Sequence, residues 1–305
     1  MKNGAAKMRP RLQQVFWALL RIYILLVVSV YFLQGRLLYL RSANSAAVTQ
    51  QQAADARLSF WPNAAKYQAL LRTPPLDTIN GTVVLFHGNA GTAQDRAFYA
   101  TQFEQCGLRT LLVEYPGYGA RDTDVALRQA PLGAQGGQII LAANAQFRQP
   151  IFVVGESLGA AVAAQAIQQA EQAQMGVVSG AILITPWDEL ANVANRHFWF
   201  LPVRFILADP YNSVAALKDF HAPLLVVRAT RDEIIPASST LALFNSFSGP
   251  KQIFNVPDGH NNWSENIPDS WWPQLCSHML MLGVLPRQHM LMLDVLPRQH
   301  MQELR

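Results

Sequence analysis

The sequence predicts an α/β protein: a mainly parallel sheet with helices on both faces, preceded by one apolar N-terminal helix. Three observations carry that expectation. From residue 82 onward, short branched apolar runs alternate with longer helix-forming runs, the pattern of repeated strand–helix–strand units. Gly155-Glu156-Ser157-Leu158-Gly159 joins the apolar run 151–154 to an alanine-rich run, so a strand turns sharply into a helix there. Residues 15–33 are apolar except for Arg21, Ser29 and two tyrosines, close to the roughly 20 residues that cross a bilayer.

Composition narrows the function classes. Half of the 305 residues are hydrophobic, enough to bury a large core. The net charge of +4 is not clustered beyond the N-terminus, which excludes a nucleic-acid footprint. No phosphate-binding glycine motif follows a predicted strand and no Cys/His spacing matches a metal site, so neither cofactor nor metal is expected. Cys106 and Cys276 are the only cysteines. They are read as two inert buried thiols, with pairing left to the fold.

Along the chain, Lys2, Lys7, Arg9 and Arg11 precede the apolar run, and Arg36 and Arg41 follow it. That bias sets residues 1–14 as a cytoplasmic tail and 15–34 as a single-pass plasma (inner) membrane anchor. The bulk of the chain is then exoplasmic or periplasmic. Arg21 lies near the basic end and snorkels, while Trp17, Tyr23 and Tyr31 suit the interfacial belts. A cleaved signal peptide, with Ala43-Asn44-Ser45 as the cut, is the competing reading, for which the apolar run is unusually long. Residues 35–56 end in Ala, Gln, Ser and Asn and are read as a tether. A single α/β domain is expected over 57–285, opened by an irregular hairpin broken by Pro62, Pro74 and Pro75.

Within that domain, strand 82–86 ends in His87-Gly88-Asn89-Ala90-Gly91, and helix 93–106 is closed by Gly107. Strand 108–113 ends in Glu114-Tyr115-Pro116-Gly117-Tyr118-Gly119, followed by a helix over 125–147 loosened by Pro131, Gly133, Gly136 and Gly137. The Ser157 corner and its helix come next, then strands 181–184, 223–227 and 252–256. Every loop of chemical interest follows a strand, at the edge where ligands of such sheets bind.

Three of those loops hold Ser157, Asp232 and His260 in that order. A serine hydroxyl is a poor nucleophile until an imidazole takes its proton, and a carboxylate must hold that imidazole's tautomer. Ser157 is therefore the candidate nucleophile, His260 the base and Asp232 its orienter, with Glu233 in reserve. His87 is read as shaping its loop and Glu156 as a turn residue; His197 and His221 fall in an insert. The oxyanion of acyl transfer needs two fixed N–H donors. Leu158, directly after the nucleophile, and Asn89 are assigned, with Ala90 in reserve.

The motifs HGNAG, EYPGYG, GESLG, RDEIIP and GH, over about 82–263, together resemble the membrane-anchored α/β-hydrolases grouped with lysophospholipase-like, serine-aminopeptidase-like and protein-depalmitoylating enzymes. The resemblance implies the α/β-hydrolase fold, the triad Ser157, Asp232 and His260, and an oxyanion donor from the loop after His87-Gly88. Two places depart from it: Arg228-Ala229 stands where relatives commonly carry His-Gly, and Ala120-Arg121-Asp122 lacks a Ser-x-Gly character.

An insert over about 186–221 carries many aromatics. Trp187, Phe198 and Trp199 are the candidate acyl-binding residues, against the alternative that the insert simply packs on the sheet. The expected activity is hydrolysis of an ester or thioester, with a small-molecule or lipid-like acyl substrate. The alternatives are a peptidase or amidase, and a silent membrane-tethered binding protein. The tail 286–305 includes most of a tandem repeat: HMLMLGVLPRQ at 278–288 returns as HMLMLDVLPRQ at 289–299. Two copies interrupted by Pro286 and Pro297 are a local duplication rather than a helical array.

Overall fold

The structure, a computed structural model, describes residues 10–284 apart from Asp124. In chain order the helices and strands are α1 (Pro10–Leu38), α2 (Ala46–Asp55), β1 (Ser59–Trp61), β2 (Ala69–Arg72), β3 (Gly81–Phe86), α3 (Ala97–Gln105), β4 (Leu108–Val113), α4 (Gln129–Phe147), β5 (Ile151–Glu156), α5 (Leu158–Ala173), β6 (Val178–Ile184), α6 (Leu190–His197), α7 (Val203–Ile206), α8 (Ser213–Ala216), β7 (Leu224–Ala229), α9 (Ala237–Ser246), β8 (Lys251–Val256) and α10 (Trp271–Val284).

The strands form one sheet in the order β1-β2-β4-β3-β5-β6-β7-β8. β1 and β2 pair antiparallel and β2 joins β4 antiparallel, which makes the expected opening hairpin an edge of the sheet. The remaining pairings are parallel. β3 shows why the apolar runs become central strands: Val84 and Phe86 enter one core, Val83 and Leu85 the other. A strand covered on both faces buries both sets of its alternating side chains.

α4 and α5 cover one face, and α3 and α10 the other. The glycines that weaken α4 as an isolated helix are explained by that packing. A Cβ at Gly133, Gly136 or Gly137 would lie 2.8, 2.6 or 2.7 Å from side-chain Cβ atoms of α5. Small residues on α4 meet the alanine-rich face of α5, so the two backbones approach closely.

Two expectations are corrected. The stretch read as a tether is ordered. Ser45 caps α2, its Oγ accepting from the Val48 N–H at 3.3 Å, and α2 buries Thr49 and Ala53. Just ahead of it, Leu40 N–H donates to Asn89 O at 3.0 Å, Gly119 N–H to Ser42 O at 2.8 Å, and Asn44 N–H to Gly119 O at 2.7 Å. Small polar residues suit a tether, but here they dock on loops far away in sequence. The two cysteines are also not thiols: Cys106, after α3, is disulfide-bonded to Cys276 in α10 across 170 residues of sequence.

α1 is long and apolar enough to cross a membrane. Its second half lies against the insert, which folds into α6, α7 and α8. Tyr23 Oη donates to Phe200 O at 2.9 Å and Gln34 Nε2 to Ile206 O at 2.9 Å, while Ala208 N–H donates to Gln34 Oε1 at 2.8 Å. Beyond the helix, the buried Tyr39 donates to Asp209 Oδ2 at 3.1 Å and lies 3.0 Å from Tyr211 Oη. The first repeat copy begins in α10 at His278; its end, and the second copy, lie outside the described residues.

Candidate active site

The corner between β5 and α5 is built from close backbone contact. A Cβ at Gly155 would lie 2.4 Å from Gly159 O, and one at Gly159 only 2.1 Å from Phe86 O. Neither neighbour is a side chain that can swing away. Ser157 sits at φ 54°, ψ −118°, a conformation that costs a non-glycine residue roughly 1–3 kcal/mol. Ser157 N–H donates to Ile184 O at 2.9 Å, tying the strained residue to β6.

The three loops that the sequence singled out converge here. Ser157 Oγ is 2.8 Å from His260 Nε2, and His260 Nδ1 is 2.8 Å from Asp232 Oδ2. The other carboxylate oxygen of Asp232 accepts from Ile234 N–H at 2.9 Å and Ile235 N–H at 2.7 Å. One oxygen is thus fixed by the loop after β7 and the other is left for the imidazole. Glu233 accepts from the His260 backbone at 3.4 Å rather than meeting its ring. Asp258 braces the His260 loop: its carbonyl accepts from Arg231 N–H at 3.0 Å, and its buried carboxylate from Asn266. The side chains of His260 and Asp232 are almost wholly shielded from solvent.

Ser157, His260, Leu158 and Asn89 share one cavity of about 250 Å³. Leu158 opens α5, so its N–H belongs to the first turn, where donors have no intrahelical acceptor. The Asn89 N–H is set by its neighbours. His87, fully buried, has Nδ1 2.8 Å from Gly88 O, and Tyr115 Oη donates to His87 O at 2.8 Å. A trans peptide points its N–H opposite to its C=O; with Gly88 O turned to the buried ring, Asn89 N–H faces away from it. Asn89 O accepts from Tyr118 Oη at 2.8 Å and Leu40 N–H at 3.0 Å, fixing the next peptide plane as well. Burial pushes the Tyr115 and Tyr118 hydroxyls well above the usual phenol range, so both stay donors.

The cavity has two unlike walls. On one side Arg96 pairs with Glu156 at 2.8 Å, and Tyr99 Oη donates to the second Glu156 oxygen at 2.8 Å. On the other stand Leu38, Trp187, Leu190, Val193 and Ile235. The three expected acyl-binding residues therefore separate. Trp187 lines the cavity, buried, with Nε1 donating to Tyr211 O at 3.3 Å. Phe198 lines a different cavity against α1, and Trp199 is 78% exposed and lines neither. Leu38, Tyr115, Tyr118 and the Arg96–Glu156 pair were not singled out as site residues. Leu38 falls in the stretch read as a tether, though α1 extends to it, and the tyrosines act at a distance through backbone carbonyls. The EYPGYG run carried the only signal for them.

A model of the alpha/beta hydrolase family matches residues 83–303. The chain belongs to the alpha/beta hydrolase family. This hydrolase is 32% identical over 207 residues to an uncharacterized protein of Mycobacterium tuberculosis strain H37Rv, covering 67% of this chain and 68% of that one. It is 22% identical over 215 residues to the uncharacterized protein YfhR of Escherichia coli O157:H7, covering 68% and 73%. Among solved structures, the alpha/beta hydrolase GrgF from Penicillium sp. sh18 superposes with a TM-score of 0.54 at 15% identity, covering 71% of this chain and 94% of that one. Est1E from Butyrivibrio proteoclasticus, with ferulic acid bound, superposes at 0.51 and 16% identity, covering 71% and 93%. Likeness at that level shares the fold alone.

Both departures from the family pattern fall outside the cavity lining. Arg228 and Ala229 close β7, Ala229 in the core. Arg121 is buried and its guanidinium donates to the Glu114 carbonyl.

Proposed function

We propose that this hydrolase is a membrane-anchored serine hydrolase that cleaves an acyl ester or thioester through an acyl-enzyme. The observation that carries the reading is the continuous Ser157–His260–Asp232 chain at a strained strand-to-helix corner. Ser157 Oγ attacks the carbonyl carbon while His260 Nε2 takes its proton, and Asp232 stabilises the imidazolium that forms. The oxyanion is received by Leu158 N–H and Asn89 N–H, a pair of donors worth about 10²–10³ in kcat each. Collapse expels the alcohol or thiol with the proton returned from His260, and water then repeats the cycle to release the acid.

The same reading places α1 across the plasma or inner membrane with the N-terminus cytoplasmic and the catalytic domain outside. Two independent facts support it. Four basic residues precede the apolar run and two follow it within eight residues. The Cys106–Cys276 disulfide belongs to an oxidising compartment. Residues 34–44 favour an anchor over a cleaved leader, because Gln34, Leu38, Tyr39 and Leu40 are bonded to the domain or line its site.

Labelling of the full-length protein with a fluorophosphonate tests the chemistry. Wild type labels and folded Ser157→Ala does not; labelling that survives in the variant places the nucleophile elsewhere, and none in folded wild type favours the silent binding protein.

A further inference from the structure

Beside the catalytic cavity lies a second, apolar one of about 290 Å³ between α1 and the insert. One wall comes from α1, from Leu26 and Val30 to Leu38; the other comes from the insert, including Ala194, Phe198 and Leu207. Leu38 and Leu190 line both this cavity and the one holding Ser157. The apolar wall of the catalytic cavity thus adjoins the apolar cavity that runs along the anchor, with Leu38 and Leu190 standing between the two.

We propose that this passage takes the acyl chain of a long-chain bilayer lipid ester, with the anchor helix itself forming one wall of the substrate site. The inference rests on the serine-hydrolase reading and extends it to the substrate class. Three quantities converge on that occupant. Leu26 and Leu38 are 12 residue steps apart, about 18 Å at the helical rise. An extended chain advances roughly 1.2 Å per bond, a third of the residue repeat, so this length accepts about 15 carbons. Leu38 stands five residues past the end of the apolar run at Leu33, about 7.5 Å above it. That lies within the polar headgroup zone, some 5–8 Å on each side of the hydrocarbon core, whose inner edge carries the ester carbonyls of bilayer lipids. Ser157, which shares its cavity with Leu38, is thus within a few ångströms of the carbonyl depth while the chain stays in an apolar passage.

The insert presents the matching surface. Phe200 is held to Tyr23 on α1 and packs edge-on against Trp199; Trp199, and Phe205 in α7, are 78% and 90% exposed. Exposed aromatics on a tip that rests against the membrane helix enter the same leaflet, so a chain passes from leaflet to cavity without crossing water. This reassigns the aromatic insert: Phe198 borders the chain, and Trp199 touches lipid rather than substrate.

The test is the chain-length profile of the full-length protein in mixed micelles, using p-nitrophenyl esters from butyrate to palmitate and then a phospholipid of matching chains in vesicles. Wild-type kcat/KM rises up to about fourfold per methylene to an optimum between laurate and palmitate, and the phospholipid is cleaved. Ala194→Phe and Val30→Phe narrow the passage from opposite walls. Each lowers the palmitate-to-butyrate ratio at least tenfold, with Ser157 labelling as the check that the site is intact. A folded, labelled variant with an unchanged ratio overturns the proposal, as does a wild-type optimum below octanoate. Long p-nitrophenyl esters cleaved without any phospholipid turnover overturn the lipid assignment. Absence of both labelling and butyrate hydrolysis in wild type would instead sink the serine-hydrolase reading beneath it.

Discussion

Removing residues 1–43, the product of a cut after Ala43, tests whether the N-terminal helix is an anchor built into the enzyme or a leader. The cut deletes Tyr39, 4% exposed, whose hydroxyl joins Asp209 and Tyr211. Truncating a buried large aromatic costs about 3–5 kcal/mol. It also strips Ser42 O from Gly119 N–H and Leu40 N–H from Asn89 O. Asn89 O keeps Tyr118, and Gly119 N–H, uncovered by the cut, exchanges its bond for one to water, a loss of about 0.5–1.5 kcal/mol. The total, near 5 kcal/mol, is a large share of the roughly 5–15 kcal/mol that stabilises a domain. At about 2–4 °C per kcal/mol for a chain of this size, Tm falls by some 10–20 °C. Differential scanning fluorimetry of the full-length protein in detergent against a form starting at Asn44 measures it, with full-length Tyr39→Ala as the single-site counterpart. A soluble form starting at Asn44 with the full-length Tm and labelling rate would refute the reasoning.

Cys276→Ser releases the 170-residue loop closed with Cys106 and costs about 2–4 kcal/mol; a Tm unchanged by the substitution or by reductant contradicts this. Tyr118→Phe removes one of two donors to Asn89 O and loosens the oxyanion loop, so kcat falls about tenfold, a fraction of the loss for deleting an oxyanion donor outright, with KM held. A change confined to KM speaks against that role. Burial raises the hydroxyl pKa of Tyr99, Tyr115 and Tyr118, so the folded state keeps protons that the unfolded chain sheds near pH 10. Their contribution is complete below that pH and is lost as pH climbs toward the folded values. Tm should therefore stay flat from pH 7 to 9 and decline above about 10; a decline that begins near neutrality points to other groups.

The parts legible in the sequence were those written locally. β3, β4 and β5 appear as unbroken branched runs, and Gly155 and Gly159 mark a corner that admits no side chain, so Ser157 followed directly. Asp232 and His260 could be set beside Ser157 from the sequence because each trails a strand, and the structure brings the three side chains into contact. What escaped notice depends on partners distant in sequence. The residues 39–44 read as linker because Asn89, Gly119 and Asp209 are invisible from there. Cys106 and Cys276 read as thiols because only the packing of α3 against α10 brings them together. α4 read as a weak helix because its glycines make sense only against α5. Trp199 and Trp187 looked alike as insert aromatics, yet one is buried against Tyr211 and the other faces outward.

The central claim is that Ser157 carries the acyl group. Rapid quench of full-length enzyme with p-nitrophenyl octanoate, followed by peptide mass spectrometry, tests it directly. The account predicts a burst of p-nitrophenol approaching one equivalent and an octanoyl adduct on the peptide containing Ser157, absent in Ser157→Ala. Steady turnover with no burst and no adduct, or an adduct on another residue, would contradict it.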